Sequence, residues 1–528
     1  MTSNIRVGVW LGNPNAEKWK GEGIARTVES VLTGFNAAHL DQRADVDFVF
    51  FMNKELFLDS HIELSKAYSA TKISFVDILN LKPLGEELND GIDSGSMHQA
   101  NSTKFSGPHE LPSSILGLAL YYAMHDYKKT VGGKRNFSAF FSFFNKLGFQ
   151  LFKRTYSRVV FALKLIRLSL VAIKVSKNDV VDVWWVPSPV AWGVEFLEQP
   201  VVSNFWDFFG AEFGYYWDEE ILDVIYHRLK ITLSKSEKIL TQSNHNLNFS
   251  MLPFDIDRSK VQISYLPIPG NYQQYFGNFV NKNQGQLERT SESQAYASLK
   301  IQKYIDEVRK VKPIERFSKT GMQLEACGEI DFVKTSYLFV STQDRPYKNL
   351  ALLIRVLDRL VNKFGLDLYL ITTANISFRT KAGEISEVIS RNRLWNRVIS
   401  LPRVPDEIHA MLYHCATLSL HASAAEGGVG AFSFMEGMSV GCPGLVGCGR
   451  HTREGKKLMG EEYEEITFPI NSLKEATQVI REKLPAALSG ELVKQQAAVY
   501  SFHEKRTWKD SANDYYDAFL SAKNNIAE

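Results

Sequence analysis

The chain has little that would point to disulfides, a membrane span or nucleic acid. Only four cysteines, Cys327, Cys415, Cys442 and Cys448, occur in 528 residues. They form no paired zinc spacing and no disulfide framework, which fits a reducing compartment. No apolar run approaches the roughly 18 residues that a spanning helix needs. The 61 basic residues nearly cancel the 59 acidic ones, for a net charge of +2, so no global field favours nucleic acid. The opening MTSNIRVGVWL lacks the apolar core of a signal peptide and is expected to form a first strand in a cytoplasmic protein.

What is present is an ordinary globular composition, 45% hydrophobic, in a chain long enough for at least two domains. Short apolar runs alternate with helical stretches. The first series is Ile5–Leu11, Val46–Phe51, Ile62–Leu79 (a helix and a strand), Val180–Val186, Val201–Trp206, Glu237–Gln242 and Val261–Leu266. A second is Tyr337–Ser341, Asp367–Thr373, Arg397–Leu401, Ala416–Leu420 and Ile466–Pro469. Alternation of this kind predicts parallel sheets flanked by helices.

The stretch with most chemical content runs from His421 to Pro443, HASAAEGGVGAFSFMEGMSVGCP. An apolar strand runs out into a turn holding Glu426, Gly427, Gly428 and Gly430, followed by a helix carrying Glu436. Unpaired N–H groups and partial positive charge at a helix entry suit an anion, and carboxylates accept hydrogen bonds from sugar hydroxyls. The same pattern also fits a buried strand–turn–helix whose carboxylates only cap or solvate. Thr342–Leu350 is a second such turn, with Arg345 able to bridge diphosphate oxygens in a fork and Lys348 adding a point charge. It also fits an ordinary surface turn.

Glu436-Gly-Met-Ser-Val-Gly-Cys-Pro443 resembles the signature of the retaining glycosyltransferases of family 4. The family generally spaces its two glutamates more closely; nine residues separate Glu426 from Glu436 here. Gly21-Glu-Gly23 resembles the family's glycine-rich first loop, and Arg345 and Lys348 its cationic loop. Ser400-Leu-Pro-Arg403-Val404 resembles the place where the nucleotide base meets backbone. Trp206-Asp207 stands where the family often has His-Asp, so the histidine is absent.

The resemblance implies an α/β GT-B fold, two Rossmann-like βα domains facing a cleft, with a helical basic insertion in the first. It places an acceptor-side domain in residues 1–270 with the insertion at 85–178, and an inserted linker region at 271–335. A nucleotide-sugar domain at 336–487 and a C-terminal helix returning to the first domain at 488–528 complete it. The implied reaction is transfer of a hexosyl group from a nucleotide-sugar donor to a glycan acceptor, with retained anomeric configuration, in polysaccharide or glycolipid synthesis. Lys348 and Arg345 would stabilise the leaving phosphate, Glu426 would orient the donor sugar, and Glu436 would hold ribose hydroxyls. The backbone of Gly428, Val429, Gly430 and Ala431 would meet phosphate or sugar, with Arg403, Val404 and Gly23 also on the donor and Asp207 lining the acceptor cleft. Neither a metal nor another cofactor is expected, since cationic side chains and helix N-termini can hold the leaving diphosphate. The alternative is a catalytically silent GT-B subunit that binds lipid or a partner.

Residues 134–177 carry ten cations and no Asp or Glu: Lys134, Arg135, Lys146, Lys153, Arg154, Arg158, Lys164, Arg167, Lys174 and Lys177. Phe137, Phe140, Phe141, Phe144, Leu147, Leu151, Val159, Ile166, Leu170 and Ile173 recur near a helical period. An apolar face opposite a purely basic one fits an interfacial helix on anionic lipid, and so a peripheral position on the inner face of the cell membrane with a lipid-linked acceptor. Two core helices with a solvated basic side fit as well.

Overall fold

In the computed structural model the described residues are 5–12, 23–40, 46–52, 73–77, 165, 168–175, 181–207, 219–268, 272–280, 287–311, 328, 330–343, 345–376, 384–402, 404–429 and 432–525. They form two wholly parallel sheets.

The first domain opens with β1 (Ile5–Trp10), α1 (Gly23–Leu40), β2 (Val46–Met52) and β3 (Ile73–Asp77). It continues with β4 (Val183–Val186), β5 (Val201–Phe205), α2 (Glu219–Lys235), β6 (Ser236–Thr241) and β7 (Val261–Ile263). The strand order is β3-β2-β1-β4-β5-β6-β7. Its central strands are buried on both faces, which is why Ile5–Trp10 and Val46–Met52 read as nearly continuous apolar runs. One face packs Val7, Val9, Phe48 and Trp185 against α1; the other packs Trp10, Val49, Phe51 and Trp184 against the helical residues 168–175.

Only the end of the basic segment, residue 165 and residues 168–175, lies within the described residues; 134–164 and most of 85–178 lie outside them. Here the fully covered positions are Leu168, Val171, Ala172 and Val175, packed on Trp10 and Trp184, while Leu170 and Ile173 are half-buried. The i, i+3, i+4, i+7 face of this last turn is therefore protein core.

Within 271–335, helix α3 (Ser291–Val311) buries Ala297, Ile301 and Ile305 in a cluster with Tyr337, Phe339 and Tyr413 of the second domain. That domain comprises β8 (Tyr337–Val340), α4 (Leu350–Asp358), β9 (Tyr369–Thr372) and β10 (Val398–Ser400). It continues with α5 (Asp406–Cys415), β11 (Leu418–His421), α6 (Phe432–Ser439), β12 (Gly444–Cys448), α7 (Thr452–Met459) and β13 (Thr467–Pro469). The order is β10-β9-β8-β11-β12-β13. In each sheet the order reverses beside the first strand, between β1 and β4 and between β8 and β11. Loops leaving the strand ends diverge there, so a crevice opens.

The last long helix, α8 (Trp508–Asn524), packs on the first sheet through Ala512, Tyr515, Ala518 and Phe519. It starts at a capping box formed by Thr507 and Asp510. A buried polar chain anchors it: Trp185 Nε1 donates to Asn204 Oδ1 (2.7 Å), and Asn204 Nδ2 donates to the Tyr515 hydroxyl (2.5 Å). On α1, Gly34 lies so close to the Trp508 carbonyl that an added Cβ would collide with it. Gly34→Ala is expected to push α8 away from α1 and destabilise the protein by about 1–3 kcal/mol, an overpacking cost. An unchanged thermal melting temperature would contradict this packing.

Candidate active site

The crevice of the second sheet is built from the loops after β8 and β11. Pro346 starts a short 3-10 turn over Pro346–Lys348, and Asn349 ends it with a left-handed backbone (φ 54°), a conformation asparagine tolerates. Tyr347 is buried beneath the turn, and its carbonyl accepts from the Ala424 N–H at 2.8 Å, stitching the two loops together. Lys348 and Glu426 are thereby brought into contact: Lys348 Nζ donates to Glu426 Oε1 at 2.5 Å. His421, the last residue of β11, contacts the same oxygen through Nε2 at 2.5 Å. The Lys348 and Glu426 side chains keep only 17% and 20% of their surface exposed.

These charges are mutually dependent. Burial alone would raise the Glu426 carboxyl, but Lys348 and His421 together hold it well below the usual carboxylate range. Burial likewise works against the charge on Lys348, and Glu426 more than offsets it, raising the amine above its ordinary value. Arg345 is exposed at the loop's edge and donates from Nη1 to the Tyr347 hydroxyl at 3.1 Å. Asp207, just beyond β5 in the first domain, completes the group. Burial, then repulsion from Glu426, pushes its carboxyl up to about 6, against the pull of Lys348 and Arg345.

Lys348, Arg345, Glu426 and Asp207 thus lie within one another's fields across the two domains. Glu436 is placed differently. It sits in the middle of α6, is 3% exposed, and accepts from the Tyr413 hydroxyl at 3.3 Å. Gly428 and Val429 lie in the turn after Glu426, and half-buried Val404 comes just before α5. Gly23 is the first residue of α1. Arg403, Gly430 and Ala431 lie outside the described residues. Among the described residues, no group of three or more His, Cys, Asp or Glu could hold a metal ion, and no helix is long and apolar enough to cross a membrane.

The turn after Glu426 docks on the first domain. An added Cβ at Gly427 would collide with the Trp206 carbonyl and the Gln242 side chain, so only glycine fits. Ser243 Oγ donates to the Gly427 carbonyl at 2.5 Å. A second bond set lies alongside. Glu454, on α7, accepts from the backbone N–H groups of Asn244 and His245, the Asn244 amide and the Tyr265 hydroxyl, all at 2.8–2.9 Å.

Sequence reasoning assigned no role to His421 or Glu454. The first had a usable signal, a histidine ending a parallel strand at the point of crossover. The second had none, because its partners lie some 190–210 positions away.

No family model matches the chain, and no curated protein matches it. Solved structures do. HepE of Anabaena, in complex with UDP and glucose, aligns over 98% of this chain and 99% of its own with a TM-score of 0.52 at 11% identity. The fold is GT-B. Sucrose-phosphate synthase of Thermosynechococcus elongatus gives 0.53 at 10% identity, covering 99% of each chain. A glycosyltransferase from Rickettsia africae gives 0.50 at 12%, covering 100% of this chain and 99% of its own. In this GT-B frame Lys348, Glu426 and His421 lie at the crossover of the second sheet, and Asp207 lies just beyond β5 of the first.

The raised carboxyl of Asp207 has a thermodynamic consequence. Its folded-state pKa exceeds the ordinary 3.8, so the folded protein binds the proton more tightly and loses stability as pH rises from about 4 through about 6. Above that window the penalty is complete, up to about 3 kcal/mol by the size of the shift. Asp207→Asn is therefore expected to raise the melting temperature at pH 7.5 and leave it nearly unchanged at pH 4. An equal shift at both pH values would mean that Asp207 ionises normally.

Proposed function

We propose that this chain is a glycosyltransferase that moves a hexosyl group from a nucleotide-sugar donor to a glycan acceptor with retention of anomeric configuration, as the resemblance of Glu436–Pro443 to the family 4 signature implies. The observation that carries the reading is the Lys348–Glu426–His421 cluster at the crossover of the second sheet, facing Asp207 of the first. HepE, of the same fold, is described with UDP and glucose, and with UDP-glucose, which supports a nucleotide-sugar donor here.

In this reading Lys348 is held charged by Glu426 and meets the negative charge that grows on the diphosphate as the glycosidic bond breaks. Arg345, at the exposed edge of the same turn, adds a planar fork for phosphate oxygens. Glu426 accepts from sugar hydroxyls and holds the donor against the cation that stabilises its leaving group. Glu436 takes ribose hydroxyls once Tyr413 yields its bond. Gly428, Val429, Gly430 and Ala431 offer backbone to phosphate or sugar, with Arg403, Val404 and Gly23 along the donor's course. Asp207 stands on the acceptor side, where a carboxyl titrating near neutrality can take a hydrogen bond from the attacking hydroxyl. The chemistry asks for no metal or other cofactor.

A panel of labelled nucleotide sugars, with membrane extract as acceptor, tests the activity directly. Lys348→Ala is expected to lower kcat/KM by about 10²–10³-fold, the scale of losing one preorganised electrostatic donor. Kinetics within about threefold of wild type would remove Lys348 from the mechanism, and no transfer from any donor would favour a silent subunit.

The acceptor is proposed to be lipid-linked, with the basic segment 134–177 holding the protein at the inner face of the membrane through the part that precedes the core-packed residues 168–175. Its support is compositional: cations without acids beside a phenylalanine-rich face. Each cation near an anionic surface contributes on the order of 1 kcal/mol. Changing Lys146, Lys153 and Lys164 to Glu is expected to release the protein from anionic vesicles with no change in melting temperature. Wild-type protein left in the supernatant at low salt would end the membrane reading.

A further inference from the structure

A buried histidine ordinarily has partners for its ring nitrogens. Two in the second domain do. His409 contacts the Tyr272 hydroxyl through Nδ1 (2.7 Å) and Ser341 Oγ through Nε2 (2.8 Å). His414 contacts the Val440 carbonyl through Nδ1 (2.7 Å) and Ser293 Oγ through Nε2 (2.8 Å). His451 differs: it is 1% exposed, and neither ring nitrogen has a hydrogen-bond partner among the described residues.

Its position makes this informative. His451 comes just after β12 and just before α7, at the strand end neighbouring the one that carries His421 and Glu426. The ring lies against Gly449, where an added Cβ would fall 2.8 Å from Nδ1 and 2.7 Å from the Ala424 carbonyl. The imidazole thus borders the loop that holds Glu426. The charged and titratable groups facing it are Glu426, His421 and Lys348 of the second domain and His245 of the first. Burial lowers its pKa to about 4, so the ring is neutral, with one N–H donor and one bare acceptor nitrogen.

We infer that His451 is a contact residue for the sugar being transferred, its donor and acceptor nitrogens pairing with hydroxyls on that ring and so selecting which sugar is accepted. A phosphate offers only acceptors and would leave one nitrogen bare, whereas sugar hydroxyls both donate and accept. A buried polar group with no partner is costly, so a site that pairs it with a hydroxyl rejects donors lacking that hydroxyl. The inference rests on the nucleotide-sugar reading above.

The test compares each nucleotide sugar with its bare diphosphate by calorimetry: UDP-glucose with UDP, GDP-mannose with GDP, and ADP-glucose with ADP. For the pair that wild type binds, His451→Phe is expected to weaken the nucleotide sugar about 5–30-fold and leave the diphosphate within about twofold. His451→Gln, which keeps a donor and an acceptor, is expected to recover most of the loss. Equal effects on both ligands, or none, would overturn the role of His451 while leaving the proposed activity intact. Failure of wild type to bind any of the six ligands would overturn both. Should the phenylalanine variant not fold, the ring nitrogens of His451 in the wild type give the answer by ¹⁵N spectroscopy, assigned by comparison with His451→Gln. They are expected to shift with the nucleotide sugar and not with its diphosphate; no difference between the two overturns the inference.

Discussion

The candidate site depends on one ion pair that neither partner could sustain alone. Glu426 and Lys348 are both largely shielded from water, and an isolated charge there would be driven neutral. Held together, and with His421 on the same oxygen, both remain charged. The pair also joins the loops after β8 and β11, the two strands at which the sheet order reverses. A parallel sheet parts its loops at this point; the ion pair and the Tyr347–Ala424 backbone bond draw them together again.

The same loop sets how the domains meet. Because Gly427 has no side chain, the turn after Glu426 can press against the Trp206 carbonyl, which places Asp207 in the field of Glu426. Glu454 then gathers four donors of the first domain onto one carboxylate. These bonds are largely shielded from water, with Ser243, His245 and Glu454 all buried, while each domain keeps its own apolar clusters.

Charge is divided between the two halves in a way that suits group transfer. The second domain contributes the cations and the carboxylate that fixes them. The first contributes a carboxyl that is uncomfortable when ionised. Such a pairing keeps a permanently charged pole beside a group able to exchange a proton near neutral pH.

Much of the fold was legible in the sequence, for a simple reason. Strands buried on both faces are apolar over most of their length, so Ile5–Trp10 and Val46–Met52 announce themselves locally. β12 did not, because two of its five residues are glycine. Only packing explains them: an added Cβ at Gly444 would fall 2.6 Å from Ser419 Oγ, and one at Gly447 would fall 2.5 Å from Ile470 Cγ2. The residue types of the site were likewise readable, since Lys348, Glu426 and Asp207 each follow a strand, where α/β sheets bind ligands. Which of them touch was not. The sequence by itself determined two parallel sheets and a set of polar residues at their strand ends. The tertiary structure decided that Glu426 bonds both Lys348 and His421, that Glu454 reaches across to Asn244, and that His451 is buried with no hydrogen-bond partner for its ring among the described residues. Those outcomes depend on distances between residues far apart in the chain, and local patterning carries no information about them.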